Sequence, residues 1–450
     1  MAATSQEAAL TVAAGGNTGT ERGRGVGEVV DGVRDGSLNL LDHVEEICDR
    51  LEEMEPRLQA MVPEKGRRQR MLAEAQAVLD RFATTPDLPL PGVVVGVKDI
   101  FHAKGFITRA GSEVPAELLQ GTEATSVTRL REAGAIILGK TVTTEFAAFA
   151  PGPTRNPHNP AHTPGGSSSG SAVAVAVGYS PLALGSQTAG SVNRPAAFCG
   201  ICGFKPTFDR IDIGGVLACA PTVDTVGFFT GDVDGLIRAA AVLCDRWETP
   251  LSVDEPVLAI PEGPYIDQVD PKALDVFRSQ VAMLEQAGYR VENVPAFGDI
   301  DAIVRRHRLM QTTEMFKVHA EWFRDHEQAY DEKTAGLIRE GMGTTDDDLE
   351  VARAGTGELR KELEQMMAER GIDAWVCPSA LGSAPGIETT GDPAMNTPWT
   401  HAHLPAVSLP GGHTGNGLPV GFQCAAAWGQ DEQLLEWSRG IDKVLRPEGG

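Results

Sequence analysis

The sequence is short of cations, of aromatic rings and of long apolar runs, and each shortage closes off a class of function. Its 450 residues hold 39 Lys and Arg against 62 Asp and Glu, a formal charge of −23. Phosphate affinity is built from clustered cations and the counterions they release, so nucleic acid is not an expected partner. No stretch reaches the roughly 18 uninterrupted apolar residues of a membrane span, so no membrane partner is expected either. No Lys or Arg precedes Arg22, and the apolar run Ala8–Ala14 is broken by Thr11, so the N-terminus does not read as a secretory signal. Residues 1–26, rich in Ala, Gly, Thr and Ser, read as a disordered tail. The 7 cysteines are odd in number and irregular in spacing, which makes no disulfide framework and points to a reducing, cytoplasmic location. Cys199 and Cys202 have CxxC spacing, but no second CxxC or HxxxH follows and both lie in the apolar run Phe198–Phe204. They read as core, and neither a metal nor a cofactor is expected.

Glycine, by contrast, is abundant at 51 residues, and the apolar 42% falls into two periods. Val29–Met54 carries Val30, Val33, Leu38, Leu41, Val44, Ile47 and Leu51 at helical spacing, which predicts a helical layer ending before Pro56. A second helix is expected over 64–84. Pro91–Phe101 is a continuous β-branched run bounded by turn residues, a buried strand that ends at Lys98 and Asp99. The pattern then alternates: helix Thr125–Ala133, strand Ala135–Leu138, helices Val142–Ala148 and Ala172–Val177, strand Ser180–Leu184. Alternation of this kind implies βαβ crossovers and an α/β fold with helices on both faces of a sheet. Charged amphipathic helices are expected over 271–288, 301–330 and 346–370, and strands over Ala374–Pro378 and Ala406–Leu409. No repeat or composition shift marks a linker, so residues 27–450 are expected to form one domain, with 250–370 as a helical lobe.

Three segments carry chemistry. Lys98 stands at the end of an apolar strand, where a lysine either snorkels to the surface or is buried for a purpose. Thr163-Pro-Gly-Gly-Ser-Ser-Ser-Gly-Ser171 runs straight into the apolar Ala172–Val177. A flexible linker would separate two domains, and a phosphate loop would continue into Gly-Lys-Ser or Gly-Lys-Thr; neither fits. A Gly/Ser turn at a helix start instead presents amides and hydroxyls. In Leu184–Ala196, the small residues before Ser191 let the backbone bend sharply and aim several N–H groups at one spot, as an oxyanion hole requires.

Together these segments resemble the amidase signature family of serine hydrolases, which includes fatty acid amide hydrolase, bacterial amidases and the amidase subunit of tRNA-dependent amidotransferases. The resemblance runs through Gly96-Val97-Lys98-Asp99, Gly139-Lys140-Thr141 with Glu145-Phe146, Pro164–Ser171, and Pro195–Gly200 on to Gly203-Phe204-Lys205-Pro206-Thr207. It is strongest over 91–230 and returns at Leu404–Gln423. It implies a large mixed central sheet covered by helices on both faces. It also implies a Ser-Ser-Lys triad: Ser191 as nucleophile, Ser167 as bridging serine behind a cis Gly166-Ser167 peptide, and Lys98 as base. Ser167 is favoured over Ser168 because the family's bridging serine stands 24 residues before the nucleophile. The amides of Thr188, Ala189, Gly190 and Ser191 would form the oxyanion hole. A serine needs a base within hydrogen-bond reach. Lysine serves only when neutral, which costs roughly 4 kcal/mol at about pH 7.5 unless burial lowers a pKa of about 10.4.

The chain departs from many members at Gln187, Ala189 and Asn193, where they carry Asp, Gly and Arg; Gln187 and Arg194 resemble a subset of general amidases. The substrate pocket matches poorly. Candidates for it are Phe146, Phe149 and Ala150, Glu314 and Phe316, and Trp399, His401 and His403. The expected reaction is hydrolysis of a small carboxylic amide through an acyl-enzyme, with a homodimer left open. A glutamine-hydrolysing amidotransferase subunit is the alternative, disfavoured by Gln187 and Asn193. An inactive binding scaffold is disfavoured because all three triad positions are present.

Overall fold

Val94, Ile136, Leu138 and Ala183 face one side of a sheet, while Val95, Val97, Ile137, Leu182 and Leu184 face the other, each set buried in its own apolar cluster. That is the period-two signature of strands covered on both faces. The computed structural model describes residues 23–250 and 254–446; positions 1–22 of the expected tail lie outside them.

The strands are β1 (Val94–Lys98), β2 (Ile136–Thr141), β3 (Leu182–Gln187), β4 (Cys202–Lys205), β5 (Thr225–Thr230), β6 (Leu258–Glu262), β7 (Val291–Pro295), β8 (Ala374–Pro378), β9 (Ala406–His413) and β10 (Pro419–Ala426). They form one 10-stranded sheet in the order β2-β1-β3-β5-β4-β9-β10-β8-β6-β7. β1 runs parallel to β2 and β3, and β6 runs parallel to β7 and β8. The pairs between these two groups are all antiparallel. The expected mixed sheet with helices on both faces is therefore the observed one. The helices Leu40–Leu58, Arg67–Thr84 and Ser169–Ala176 cover one face of β1–β3, while Val26, Val29 and Val30 of the first helix join Val233–Leu243 in the cluster on the other.

Several elements differ from expectation for local reasons. The predicted N-terminal helix is two, Val26–Asp35 and Leu40–Leu58, separated where Gly36 takes a left-handed φ of 76° and Asn39 caps the second through Leu41 N and Asp42 N. The second helix runs through Pro56 and ends two residues later at Leu58. Val142–Ala148 is not a helix; only the single turn Glu145–Ala147 forms. Its backbone donors are taken from outside, Val142 N by Ala60 O and Thr144 N by Ser167 O. Residues 250–370 are not helical throughout, since they also supply β6 and β7 to the sheet edge. Among the described residues no helix is long and apolar enough to cross a membrane.

Candidate active site

The strand β1 ends at Lys98 between two parallel neighbours, with Val97 opposite Lys140 on β2 and Leu184 on β3. The carboxyl ends of parallel strands are where α/β sheets open a site. Lys98 is fully buried, and its Nζ lies 2.7 Å from Ser167 Oγ and 2.8 Å from Ser186 Oγ. Burial pulls its pKa down to about 7, against the opposing pull of the Asp224 charge. The adjacent motif residues are paired as well. Asp99 Oδ1 and Lys140 Nζ form a buried ion pair at 2.7 Å, and Thr141 Oγ1 lies 2.7 Å from Ser171 Oγ.

The Gly/Ser segment is held from three sides. Gly166-Ser167 is a cis peptide. Arg194 Nη2 donates to Gly166 O at 2.7 Å, Thr144 N donates to Ser167 O at 3.1 Å, and Ser168 Oγ accepts from Ser186 N at 3.3 Å. The helix begins inside the segment, at Ser169. Gly185 allows this approach, since a Cβ there would stand 2.9 Å from Ser168 Oγ and 2.7 Å from the Phe229 ring.

Ser191 is 7% exposed in the turn between β3 and the helix Asn193–Cys199. Gln187, a departure from the family pattern, braces that turn. Its Oε1 accepts from Val192 N at 2.8 Å and Asn193 N at 3.0 Å, while its Nε2 donates to Thr400 Oγ1 at 3.0 Å. Thr188 Oγ1 donates to the buried Asp224 at 2.5 Å, whose other oxygen accepts from Cys219 N and Ala220 N. Among the described residues, the amides of Thr188, Ala189, Gly190 and Ser191 have no protein acceptor. Gly190 is required here: a Cβ would stand 2.4 Å from Asn396 Oδ1. Asp224, Thr400 and Ser186 carried no local sequence signal, because the first two are remote in the chain and the third is one small residue in a run of them.

The substrate-pocket candidates scatter. Phe146 is buried against His319, Trp322 and Tyr330, and Phe149 packs on the main apolar cluster. Phe316 is a partly buried packing residue on that same cluster. Glu314 is occupied: its carboxylate accepts from Thr222 N and Oγ1 and pairs with Arg353. Trp399 is core, its Nε1 donating to Tyr265 OH. His403 is committed to Thr222 O and stacks on Phe208. His401 is buried edge-on to His307 with both ring nitrogens unpartnered. Ala150 lines a cavity of about 1010 Å³ together with Asp99, Thr143 and Glu145; none of Lys98, Ser167 and Ser191 lines it. All 7 cysteines are buried and none is in a disulfide, Cys199 and Cys202 among them. Among the described residues no group of three or more His, Cys, Asp or Glu could hold a metal ion.

Known proteins share this arrangement of elements. A sequence profile of the family described as Amidase matches residues 42–435. The chain is 30% identical to the A subunit of the glutamyl-tRNA(Gln) amidotransferase of Synechococcus sp. (strain RCC307), across 91% of this chain and 95% of the relative. It is 34% identical to the protein of the same name from Thermus thermophilus, across 82% and 86%. Among solved structures it resembles one described simply as an amidase, with TM-score 0.84 at 27% identity over 94% of this chain and all of the other. A peptide amidase from Stenotrophomonas maltophilia shares the fold at 24% identity and TM-score 0.82, over 94% and 97%. With its strand order, its helix-covered sheet and a match spanning nearly the whole chain, this protein belongs to the amidase family of amide hydrolases.

Proposed function

We propose that the chain cleaves a carboxylic amide through an acyl-enzyme on Ser191, with Ser167 and Lys98 as its proton relay. The observation that carries this reading is the fully buried Lys98 with Nζ 2.7 Å from Ser167 Oγ. A buried lysine held near neutrality can accept a proton at ordinary pH. The proton of Ser191 passes to Ser167 as that of Ser167 passes to Lys98, and Ser191 Oγ bonds to the amide carbon. The carbonyl oxygen takes up negative charge against the unpartnered amides of residues 188–191. On collapse the C–N bond breaks, the proton returns through Ser167 to the leaving nitrogen, and water, activated by the same relay, hydrolyses the ester.

Two sources of the amide compete. A free-standing amidase acting on a small amide follows from the general-amidase features Gln187 and Arg194. The curated relatives favour the other reading, a subunit that hydrolyses glutamine and hands ammonia to a partner chain, since they bear the amidotransferase name over most of both lengths. Intact mass after exposure to a serine-reactive fluorophosphonate, wild type against Ser191→Ala, tests the nucleophile. Ammonia release from glutamine and from simple amides, measured on protein purified with whatever chain accompanies it from its own cells, separates the sources. Turnover of simple amides by the lone chain without glutamine turnover would reject the subunit reading.

A further inference from the structure

Each carbonyl of the turn before Ser191 has a partner. Thr188 O accepts from His307 Nε2 at 2.9 Å, Ala189 O from Thr400 Oγ1 at 2.7 Å, and Gly190 O from Arg194 N at 3.1 Å. A trans peptide is planar, with its C=O and the following N–H on opposite sides. Fixing the carbonyls of residues 188, 189 and 190 therefore fixes the directions of the Ala189, Gly190 and Ser191 amides, which are among those left without acceptors.

One of these anchors is a backbone amide of the next helix, and a second is the Thr400 hydroxyl of the helix Thr397–His401, already bound to Gln187. The third comes from the long helix Ile300–His326, in a region outside the matching motifs. His307 is 2% exposed, and among the described residues its ring makes one hydrogen bond, to Thr188 O; its Nδ1 has no partner. Leaving a buried ring nitrogen unpaired is unfavourable, and an apolar side chain would fill the same space without that penalty. The single hydrogen bond to Thr188 O is what the imidazole contributes.

We propose that His307 is a positioning residue for the oxyanion hole, its Nε2–H holding the Thr188 carbonyl so that the Ala189 amide faces the oxygen of the tetrahedral intermediate. This inference rests on the reading of Ser191 as nucleophile. It predicts that the required feature at position 307 is a hydrogen-bond donor at the depth of Nε2, which a glutamine amide reaches and an asparagine amide does not.

The test is the second-order rate at which a fluorophosphonate labels Ser191 in wild type, His307→Gln, His307→Asn and His307→Leu, followed by intact mass. The phosphoryl oxygen of the adduct takes the oxyanion position, so no natural substrate is needed. Removing or misplacing one oxyanion donor costs on the order of a hundredfold, so His307→Leu and His307→Asn should label about ten- to a hundredfold more slowly. His307→Gln should stay within about threefold of wild type, the near-complete rescue expected if a donor is all that matters. Should His307→Leu not fold, the Gln and Asn variants decide the matter, since both are polar and differ only in reach. Equal labelling of His307→Asn and wild type, or a His307→Gln as slow as His307→Asn, overturns the positioning role alone. Absence of labelling at Ser191 in folded wild type overturns the nucleophile and this inference together.

Discussion

Lys98 Nζ lies 2.7 Å from Ser167 Oγ at a depth where the lysine has no exposed surface. The two facts are connected. The apolar strand Val94–Lys98 carries the ammonium group out of water, burial lowers its pKa to about 7, and the hydroxyls of Ser167 and Ser186 satisfy a group that would otherwise be an orphan.

The pH dependence of activity follows from that shift. Lys98 acts as a base only when neutral, so kcat/KM should rise with pH through a midpoint near 7 and level off above it. Lys98→Met should lower the rate at the plateau by about a thousandfold or more. Stability should move in the same direction. Between about 7 and the ordinary lysine value of 10.5 the unfolded lysine binds more protons than the folded one, so wild-type stability rises with pH across that window. The stability gained by Lys98→Met should therefore be larger at about pH 6 than at about pH 9, as urea denaturation at the two values would show.

Ser167 and Ser191 should separate kinetically. Ser191→Ala removes the nucleophile and should abolish fluorophosphonate labelling. Ser167→Ala leaves the nucleophile in place but breaks its path to Lys98, so labelling at Ser191 should persist while slowing by about a hundredfold or more. Equal rates for Ser167→Ala and wild type would remove Ser167 from the relay.

Gly190→Ala should be costly despite its small size. The added methyl would stand 2.4 Å from Asn396 Oδ1, and Asn396 is tethered through Nδ2 to Ser379 O at 2.9 Å and Gln423 Oε1 at 2.8 Å. Overpacking of this kind costs about 1–3 kcal/mol and displaces backbone. A drop in Tm together with slowed labelling of Ser191 is expected; a variant with wild-type values of both would show that the turn has slack.

Gln187→Leu should destabilise the chain by about 1–3 kcal/mol, because it strips the Val192 and Asn193 amides of their acceptor and Thr400 of a donor in a buried setting. Gln187→Glu keeps the acceptor and should retain more of the stability. Denaturant midpoints for the two variants at equal m would rank them.

The strands around Lys98 were legible because Val93–Val97 announce a buried strand by composition alone. The turn at 142–148 was not. The segment reads as helix, but Val142 N and Thr144 N are claimed by Ala60 and Ser167, partners that no local pattern reveals. Gln187 was visible only as a departure from a motif, while its bond to Thr400 crosses 213 residues of chain. Glu314, on a helix outside the matching motifs, and Trp399, before the C-terminal strands, read as pocket candidates by residue type alone. Their neighbours Arg353 and Tyr265 make them a tether and a core residue instead.

The sequence by itself determined the order of the motifs, the buried strand that ends at Lys98, the small residues that permit the turn before Ser191, and the family. These are local properties, written in period, branching and the absence of side chains. Only the tertiary structure decided that Asp99 meets Lys140, that Gln187 braces the turn, and that the Thr188 carbonyl is held by a histidine from a distant helix. A buried polar group must find a partner somewhere, and which partner it finds depends on how the sheet and its covering helices pack, which no stretch of sequence specifies alone.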